Sequence, residues 1–524
     1  MLNFIPPHLS PKSALRLILT LGVFASAKIQ AANRYVSLKG VAGGAGTEAA
    51  PWSPGYALSK AQPGDTVFFR GGVYANTSLT EFTVSGREEA PITFTSYPGE
   101  KAIIDGTNAW RYLPDDGAMR GLVTCTNRSY LIFDNLEVRN LGTGNSADVA
   151  GILIRGASHH ITVRRCNIHH IETSLSSANG TQGTANGIAV LGQVATSPVN
   201  NIIIDQCEVH HLKCGTGESV VFNGNVENFR ITNCNIHDCN NIGIDCIGYE
   251  RVLPGGGPND RARNGLIQGN VVSGIDGYPN PAYGGVRAAD GIYVDGGLNI
   301  TIERNYVTNC NLGIELACEH RGGASEGCVV RNNFVWKNHV GGIFLGGSDA
   351  GLNGGAVGNL IYNNTLYQND VTPDRMAEIV IQNYAVNNVI KQNIIHASSL
   401  NRFIGNWDFA GNKGNVIDWN VYYSPSGAQA LTASQWMWQG NFRLGFGAWK
   451  ALSGTDANST FADPKFRSLS ATTPDLHLTE TSAARDRFDP TFLLLADLLD
   501  IDGHARALDG KPDAGADEFL KMTP

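Results

Sequence analysis

A short asparagine-containing unit recurs through the middle of the chain and constrains the fold more than any other feature. An alternating apolar strand, such as 161–163, precedes most copies, and a second strand that opens with Gly-Ile follows several of them. This alternation is what a half-buried sheet requires. The copies are Cys166-Asn167-Ile168, Cys207-Glu208-Val209, Cys234-Asn235-Ile236, Gly269-Asn270-Val271, Arg304-Asn305-Tyr306-Val307, Asn332-Asn333-Phe334-Val335, Asn363-Asn364-Thr365-Leu366, Gln392-Asn393-Ile394-Ile395 and Trp419-Asn420-Val421.

No single unit of this repeat can bury its apolar face, so the units must stack. Strands of successive coils then hydrogen-bond at a spacing of about 4.8 Å. An asparagine repeated at one inward turn bonds the backbone of the neighbouring coils. A β-propeller would need four strands in each unit and gives no such ladder. The sequence therefore predicts an all-β right-handed parallel β-helix with an N-terminal helical cap and a C-terminal cap.

The N-terminus has the pattern of a cleaved export signal. Lys12 and Arg16 precede an apolar run at 17–24, which small residues follow. The run is too short to span a bilayer, although an uncleaved N-terminal anchor is the alternative. We therefore predict a signal peptide over 1–31 and a secreted protein, periplasmic or extracellular. The mature chain is expected to be monomeric and to have no membrane span.

The remaining sequence divides where the repeat fades. Residues 57–61 have helical character and precede the first strands, so they are assigned to an N-terminal cap. A Trp-rich segment and an Asp- and Gly-rich tail follow the last repeat copy. We predict a β-helix with its N-terminal cap over 32–420 and C-terminal coils and cap over 421–524.

Composition narrows the range of partners and cross-links. The net charge of −8 gives no basic surface for nucleic acid. Of the ten cysteines, three precede the same position of the repeat and are predicted to stack in the core. Disulfide bonds between Cys234 and Cys239 or between Cys310 and Cys318 are left open, and no spacing matches a zinc site.

Two further motifs carry a family resemblance. Pro63-Gly64-Asp65-Thr66-Val67 leads into the first coils, and Asp513-Ala514-Gly515-Ala516-Asp517-Glu518 lies in the tail. Together with the asparagine coils, they resemble the carbohydrate-active β-helix superfamily of pectate lyases, alginate and chondroitin lyases, polygalacturonases and β-helical β-xylosidases. The resemblance covers nearly the whole mature chain. It implies a polysaccharide or oligosaccharide substrate, but a fold does not fix the chemistry.

Alignment of the Gly-Ile strands predicts where chemistry can occur. The first outward column has Leu153, Ala189, Val221, Asp245, Tyr293, Glu315 and Phe344, and the second includes Asp295. Carboxylates therefore concentrate on adjacent coils. Acids on one face repel each other, and this repulsion raises some pKa values. Glycoside hydrolysis needs two such carboxyl groups, one as the acid and one as the base or nucleophile.

We predict Asp295 and Glu315 as the catalytic pair because they lie on neighbouring coils, about 8 Å apart by sheet spacings. The pair resembles the Asp-then-Glu arrangement of the β-helical β-xylosidases. Asp245 is predicted to tune Glu315 or to act as an alternative acid. Residues at the strand ends and in the columns are assigned to substrate binding, with the insertion at 251–289 as one wall of the cleft. They are Tyr249, Glu250, Asp290, Tyr293, Glu319, His320 and Arg321.

Two other functions are left open. A polysaccharide lyase would use Asp245, Asp295 and Glu315 to hold calcium beside a uronate, and a basic residue would remove its C5 proton. Only Arg287, Arg321 or the more distant Lys213 could be that base. A non-catalytic glycan-binding β-helix would need no acid cluster. The hydrolase needs no cofactor, and no metal ligand set is assigned.

Overall fold

The structure is a computed structural model. Residues 1–30, which make up nearly all of the predicted signal peptide, lie outside the described part of the chain. The description covers residues 31–520 with gaps at 76–79, 110–112, 114–117, 145–146, 175–182, 373–375, 408–410, 430–431, 433, 439–440, 470–472, 493–498 and 508–510.

Three long sheets run along the molecule, and each coil adds one strand to each sheet in turn. Sheet I contains Asn33–Val41, Thr66–Phe69, Ile92–Ser96, Ser129–Asp134, His159–Arg164, Val199–Asp205, Val226–Glu227, Arg230–Thr232, Leu266–Gln268, Thr301–Glu303, Val329–Arg331, Leu360–Tyr362, Val389–Lys391 and Val416–Asp418. Sheet II contains Gly72–Ala75, Ala102–Asp105, Glu137–Thr143, Asn167–Thr173, Glu208–His210, Asn235–Cys239, Val271–Ile275, Tyr306–Thr308, Phe334–Trp336, Thr365–Tyr367, Ile394–His396, Val421–Tyr423 and Thr460–Phe461. Sheet III contains Thr80–Phe82, Arg120–Thr126, Val149–Arg155, Ala185–Gly192, Val220–Gly224, Ile244–Ile247, Asp290–Asp295, Leu312–Ala317, Gly341–Leu345, Ile379–Ile381, Arg402–Asn406, Gln435–Trp438 and Asn441–Leu444.

Smaller elements complete the fold. A three-stranded sheet consists of Ala324–Glu326, Gly355–Val357 and Ala385–Val386, and an antiparallel pair consists of Phe466–Ser468 and Asp475–Leu478. The described α-helices are Pro54–Lys60 and Phe446–Ser453, and the 3-10 helices are Pro281–Tyr283 and Gly427–Gln429. Within the described ranges, no helix is long and apolar enough to cross a membrane.

The core lies inside the stacked coils. Inward residues of successive strands stack in register, as Ile202 does on Ile161 and Ile204 on Val163, and these side chains are fully buried. A parallel β-helix buries each coil against its two neighbours, so the core is one continuous column of apolar side chains. The predicted all-β solenoid is confirmed.

The asparagine ladder is confirmed. In each step, the Nδ2 of one asparagine donates to the Oδ1 of the next, as from Asn270 to Asn305 at 2.9 Å and from Asn333 to Asn364 at 2.9 Å. The same Oδ1 atoms accept backbone N–H groups, as from Asn305 to Asn333 at 2.9 Å. Shorter ladders run at two other turns, for example from Asn359 to Asn388. The ladders therefore satisfy buried peptide groups at the corners of the coils.

The register of the first coils differs from the prediction by one position. Asn235 pairs with Val271, so Cys234, and not Asn235, lies level with Asn270. Cys166, Cys207 and Cys234 therefore occupy the ladder position as a buried stack. Asn167 is instead partly exposed and Asn235 is exposed, because each is the first residue of its strand and occupies an outward position. The same inward corner is thus filled by a thiol in the early coils and by an amide from Asn270 onwards.

We expect Asn333→Ala to lower the free energy of unfolding by about 1–3 kcal/mol, the cost of leaving buried backbone groups without partners. Asn333 is fully buried, and its Nδ2 also donates to the Ile302 carbonyl at 2.9 Å. Urea denaturation measures the change. Thr301→Ala, at a partly exposed strand position on the preceding coil, is the control and should change stability by less than about 0.5 kcal/mol. Equal effects of the two substitutions would contradict the role given to the ladder.

The two ends are covered differently. The helix Pro54–Lys60, which includes 57–60 of the predicted 57–61, packs on the first coils. At the other end, Trp436 stacks on Phe403 and Trp449, and all three rings are buried. The tail lies along the flank of sheet II, where Ala516 N donates to Thr365 Oγ1 at 2.9 Å. The division of the chain at 420/421 stays a prediction.

All ten cysteines are free and buried. The bridges left open between Cys234 and Cys239 and between Cys310 and Cys318 are therefore not formed. Cys310 and Cys239 instead face the core between coils. Packing, and not cross-linking, explains why the chain has these thiols.

Candidate functional site

Sheet III brings the predicted acids together in the expected register. Asp245 pairs with Tyr293, Tyr293 with Glu315, and Glu315 with Phe344, so these four side chains form one column on three neighbouring strand pairs. Asp295 pairs with Ala317, two positions beyond Glu315. The columns read from the sequence are therefore the columns of the sheet. They place the acids on one outer face, as a concave catalytic track requires.

Residues 276–289 of the insertion fold over this face and make a wall, whereas Leu266–Gln268 and Val271–Ile275 are coil strands of sheets I and II. Asn280 Nδ2 donates to the Gly215 carbonyl at 2.7 Å, and the Tyr283 hydroxyl donates to Asn241 Oδ1. Arg287 lies over the ring of Tyr278, 4.7 Å from its centroid. The contacts with Gly215 and Asn241 fix the insertion against the coils, and the contact of Arg287 with Tyr278 lies within the insertion.

Two adjoining cavities, each of about 310 Å³, lie between this wall and sheet III. Both are lined by Ile242, Tyr283 and Glu319, so these residues stand between them. We call one the acid cavity; its carboxyl groups belong to Glu218, Asp245, Glu250, Asp295 and Glu319. We call the other the aromatic cavity; besides Asp290, Glu315 and Glu319, it is lined by Tyr293, Phe344 and Trp407.

The aromatic cavity contains a pair of carboxyl groups that share a hydrogen bond. They belong to Asp290 and Glu315, which are 2% and 8% exposed. Burial raises the pKa of Glu315 to about 8, with a further contribution from Glu319. Burial and the nearby Glu315 also raise the pKa of Asp290 well above its usual range. At neutral pH the pair therefore retains a proton in a cavity wide enough for a ligand.

The acid cavity has buried carboxyl groups at its floor and exposed ones at its rim. Asp245 and Asp295 are buried, whereas Glu250 and Glu319 are exposed. Asp295 Oδ1 accepts the backbone N–H of Glu319 at 2.7 Å, and Glu250 Oε2 accepts from Asn223 Nδ2 at 2.6 Å. Burial, followed by repulsion from neighbouring acids, raises the pKa of Asp245 and Asp295 well above the usual range. Removal of water thus makes both groups hold protons more tightly.

The remaining predicted residues lie at different distances from the cavities. Tyr293 is buried and lines the aromatic cavity. Tyr249 lies outside both linings, where Arg261 covers its ring at 5.1 Å. Arg321 is exposed and also lies outside them. His320 is half-buried beside the rim, and its Nδ1 is a buried atom without a hydrogen-bond partner.

Two different sets of these residues could ligate a metal ion. The oxygens of Asp245, Asp295 and Glu319 would suit a hard cation such as calcium. Asp295, Cys318 and His320 have one donor atom each within 4.8 Å of one another, a mixed set that softer transition metals prefer. The second set uses residues at the boundary of the two cavities.

Sequence reasoning did not find Glu218 or Trp407. In the coil of Glu218, Ser219-Val220 occupies the place that Gly-Ile occupies in the other coils, so the alignment did not include this coil's start. Glu218 is the residue directly before that place. An alignment on Val220, which pairs with Ile244, would have placed Glu218 in the same column as Asp290. Trp407 follows the strand Arg402–Asn406, in a region where the Gly-Ile signature is already absent.

A larger cavity of about 570 Å³ lies elsewhere, along the edge of sheet II. Its lining includes His170 and Glu172 and has a single carboxyl group. The pairs His169–His210 and His170–His211 nearby stack ring on ring, which is consistent with a structural role. The acid and aromatic cavities are therefore the better candidate site, because paired carboxyl groups line them.

Comparisons with known proteins agree with the fold. The family model "Pel9A-like, right handed beta helix region" matches residues 34–192, and "Right handed beta helix region" matches 150–366. The uncharacterized protein YwoF of Bacillus subtilis (strain 168) is 34% identical over 438 residues, 83% of this chain and 88% of YwoF. Pectate lyase PEL9 of Emericella nidulans is 33% identical over 153 residues, 28% of this chain and 36% of that protein.

Among solved structures, the complex of XylC with xylose shares the fold. Its TM-score is 0.51 at 12% identity, with 93% of this chain and 98% of that chain covered. The right-handed parallel β-helix predicted from the repeat is confirmed.

Proposed function

Because the chain belongs to the carbohydrate-active superfamily of right-handed parallel β-helices and to the family of YwoF, we propose that it is a secreted glycoside hydrolase. Its substrate is a polysaccharide or oligosaccharide bound in the two adjoining cavities. The observation that supports this proposal is the set of buried carboxyl groups beneath the insertion, next to the aromatic side chains of Tyr293, Phe344 and Trp407. Aromatic faces with a few polar groups are the usual lining of a sugar site.

In the proposed reaction, Glu315 is the general acid and Asp295 is its partner. Glu315, with a pKa of about 8, holds a proton at neutral pH and gives it to the glycosidic oxygen as the bond to the anomeric carbon breaks. Asp295 assists attack on that carbon as a base or nucleophile once it has given up its own proton, because burial raises its pKa; the hydrogen bond that it accepts from the backbone N–H of Glu319 partly offsets this rise. The new bond takes its oxygen from water, so both products are saturated sugars.

The other acids support this pair. Asp290 shares a hydrogen bond with Glu315 and orients its carboxyl group, and Asp245 adds to the charge beneath Asp295. Glu250 and Glu319 at the rim bind sugar hydroxyls. Phe344 and Trp407 provide faces for sugar rings to stack on. We expect a monomer without a required cofactor.

A polysaccharide lyase is the second candidate, because the pectate lyase likeness favours it. The Pel9A-like match ends at residue 192, however, and the first acid of the site is Glu218. Calcium could be held by Asp245, Asp295 and Glu319, and of the possible bases Arg287 lines the aromatic cavity, whereas no lysine is found among the described residues that line either cavity. Lys213, considered as a base, instead pairs with Glu172 at 3.0 Å. The acid-bearing coils therefore favour hydrolysis.

A glycan panel read in two ways tests the proposed function. We expect one glycan to yield new reducing ends without the ultraviolet absorbance of an unsaturated product, and we expect a chelator to leave the rate unchanged. An unsaturated product together with loss of activity in the chelator would establish the lyase instead. Tight binding without any product would establish a non-catalytic glycan-binding protein. The panel needs neutral, amino-sugar and uronate polymers and their oligomers.

A further inference from the structure

The acid cavity has an unbalanced charge. Its carboxyl groups belong to Glu218, Asp245, Glu250, Asp295 and Glu319, and no Lys, Arg or His is among the described residues that line it. Arg287 lines the aromatic cavity instead, and His320 lies beside the rim with a ring nitrogen within 4.8 Å of an Asp295 oxygen. Carboxylates this close together repel each other unless they hold protons or a cation lies between them.

One of these carboxyl groups has an oxygen atom that accepts no hydrogen bond within the protein. Asp245 is 2% exposed, and its Oδ1 is buried without a hydrogen-bond partner. A buried acceptor without a partner destabilises the protein, and more so when it is charged. Its neighbours in the fold do not supply the missing donor, although Asp295 and Glu250 each have one. A donor from a ligand would offset this destabilisation.

The rest of the lining favours an organic cation over a metal ion. Tyr283, Ile242, Ile247 and Ala282 form an apolar and aromatic side of the cavity. The Tyr283 hydroxyl is held by Asn241, which fixes the position of its ring. Calcium takes six to eight oxygen ligands around it. An ammonium group instead combines carboxylate partners on one side with an aromatic face on the other.

We propose that the acid cavity is a subsite for the ammonium group of an amino sugar in the substrate. This inference rests on the proposed function and narrows it, because it names the substrate class as glycans with free amino groups. The ammonium donates to Asp245 Oδ1 and lies between the carboxyl groups of Glu218 and Asp295. A uronate would place a second negative charge among these acids and is disfavoured.

Binding to matched monosaccharides tests this subsite. The probes are glucosamine and galactosamine, each compared with its N-acetylated form, which has the same ring but no charge. With the Glu315→Gln variant, which should not turn over substrate, we expect calorimetry and ligand-observed NMR to show the amines binding at least about tenfold more tightly. Because ammonium binding ionises the acids, the binding enthalpy should also depend on the buffer, as proton release requires.

Two further substitutions and a control locate the effect. Glu218→Gln and Asp245→Asn, each combined with Glu315→Gln, should remove most of the preference for the amine and leave binding of the N-acetylated sugars unchanged. Glu172→Gln is the control, because Glu172 pairs with Lys213 on the edge of sheet II. It removes one negative charge from the protein without changing the acid cavity.

Equal affinity for the charged and N-acetylated sugars overturns the proposal. So does a preference that survives in both Glu218→Gln and Asp245→Asn, or calcium that binds at one ion per chain and displaces the amines. If neutral glycans are cleaved but the amines do not bind more tightly, the hydrolase proposal is supported and the subsite proposal is wrong. If the amines bind as expected but no glycan of the panel is cleaved, the hydrolase proposal is wrong and the subsite proposal is supported.

Discussion

Glu315→Gln should lower kcat/KM by about 100- to 10,000-fold on the glycan that the panel identifies, the range expected for loss of a general acid. The amide keeps the shape of the side chain and its hydrogen bond with Asp290, but it cannot donate a proton to the leaving oxygen. Steady-state kinetics on purified protein measure this loss. The matched control is Glu303→Gln, an acid paired with Arg331 outside both cavities. It should retain near-normal activity.

The pH dependence checks the role of Glu315 independently. Its pKa is about 8 in the folded protein, so kcat/KM of the parent enzyme should fall as the pH rises above about 8. The groups that face it are Asp290, Tyr293, Asp295 and Glu319. The residual activity of Glu315→Gln should lack this alkaline limb. An unchanged alkaline limb in the variant would assign the titration to another group.

Stability distinguishes lost chemistry from a damaged fold. The pKa of Glu315 is higher in the folded chain than in the unfolded chain, so the folded state binds more protons between about pH 4.5 and 8. The contribution of Glu315 to stability is therefore present below that window and declines as the pH rises through it. Glu315→Gln removes the ionisable group and should raise the melting temperature at pH 8 relative to the parent. A variant that is inactive and also unfolded would not support the catalytic role.

Asp295→Asn should cause a loss of similar size, about 100- to 10,000-fold in kcat/KM, because the group that assists attack on the anomeric carbon is gone. The amide still can accept the Glu319 N–H, so the local backbone is expected to be preserved. Asp276→Asn, an acid within the insertion that lies outside both cavity linings, is the control. Circular dichroism and thermal melting should show all of these variants folded.

An activated substrate separates the two roles. An aryl glycoside of the identified sugar has a leaving group that needs little protonation. Glu315→Gln should therefore recover much of its activity on this substrate, whereas Asp295→Asn should not. Recovery by Asp295→Asn alone would reverse the two assignments. Near-normal rates of both variants on the natural glycan would remove both residues from the catalytic site.

The architecture could be predicted because the repeat determines it locally. Strand alternation sets the inward residues, and stacking of equal coils sets the register, so the column through Asp245, Tyr293 and Glu315 follows from counting residues. The one-position error at Cys234 arose because asparagine also occurs one place later in those coils. A buried corner accepts a thiol as well as an amide, and sequence alone does not separate the two.

The pairing of Asp290 with Glu315 could not be predicted in the same way. Strict alternation from Tyr293 would turn Asp290 towards the core. Gly291 breaks the alternation, because a Cβ there would lie 2.6 Å from Val307 Cγ1 and the position therefore faces the interior. The backbone before Ile292 is thus displaced, and Asp290 reaches the cavity. The path of the insertion, which divides the face into two cavities, likewise depends on contacts such as Asn280 with Gly215.

The sealed thiols have a practical consequence for making the protein. Because every sulfhydryl is sequestered and none is bridged, maturation requires neither an oxidant nor an isomerase, and a reducing expression host should yield the native product. Alkylating reagents should fail to label the thiols inside the coils until denaturant unfolds the protein, whereas Cys318, which lines the aromatic cavity, can react in the folded state. The rate at which label is incorporated into the thiols inside the coils therefore measures how often the solenoid unfolds.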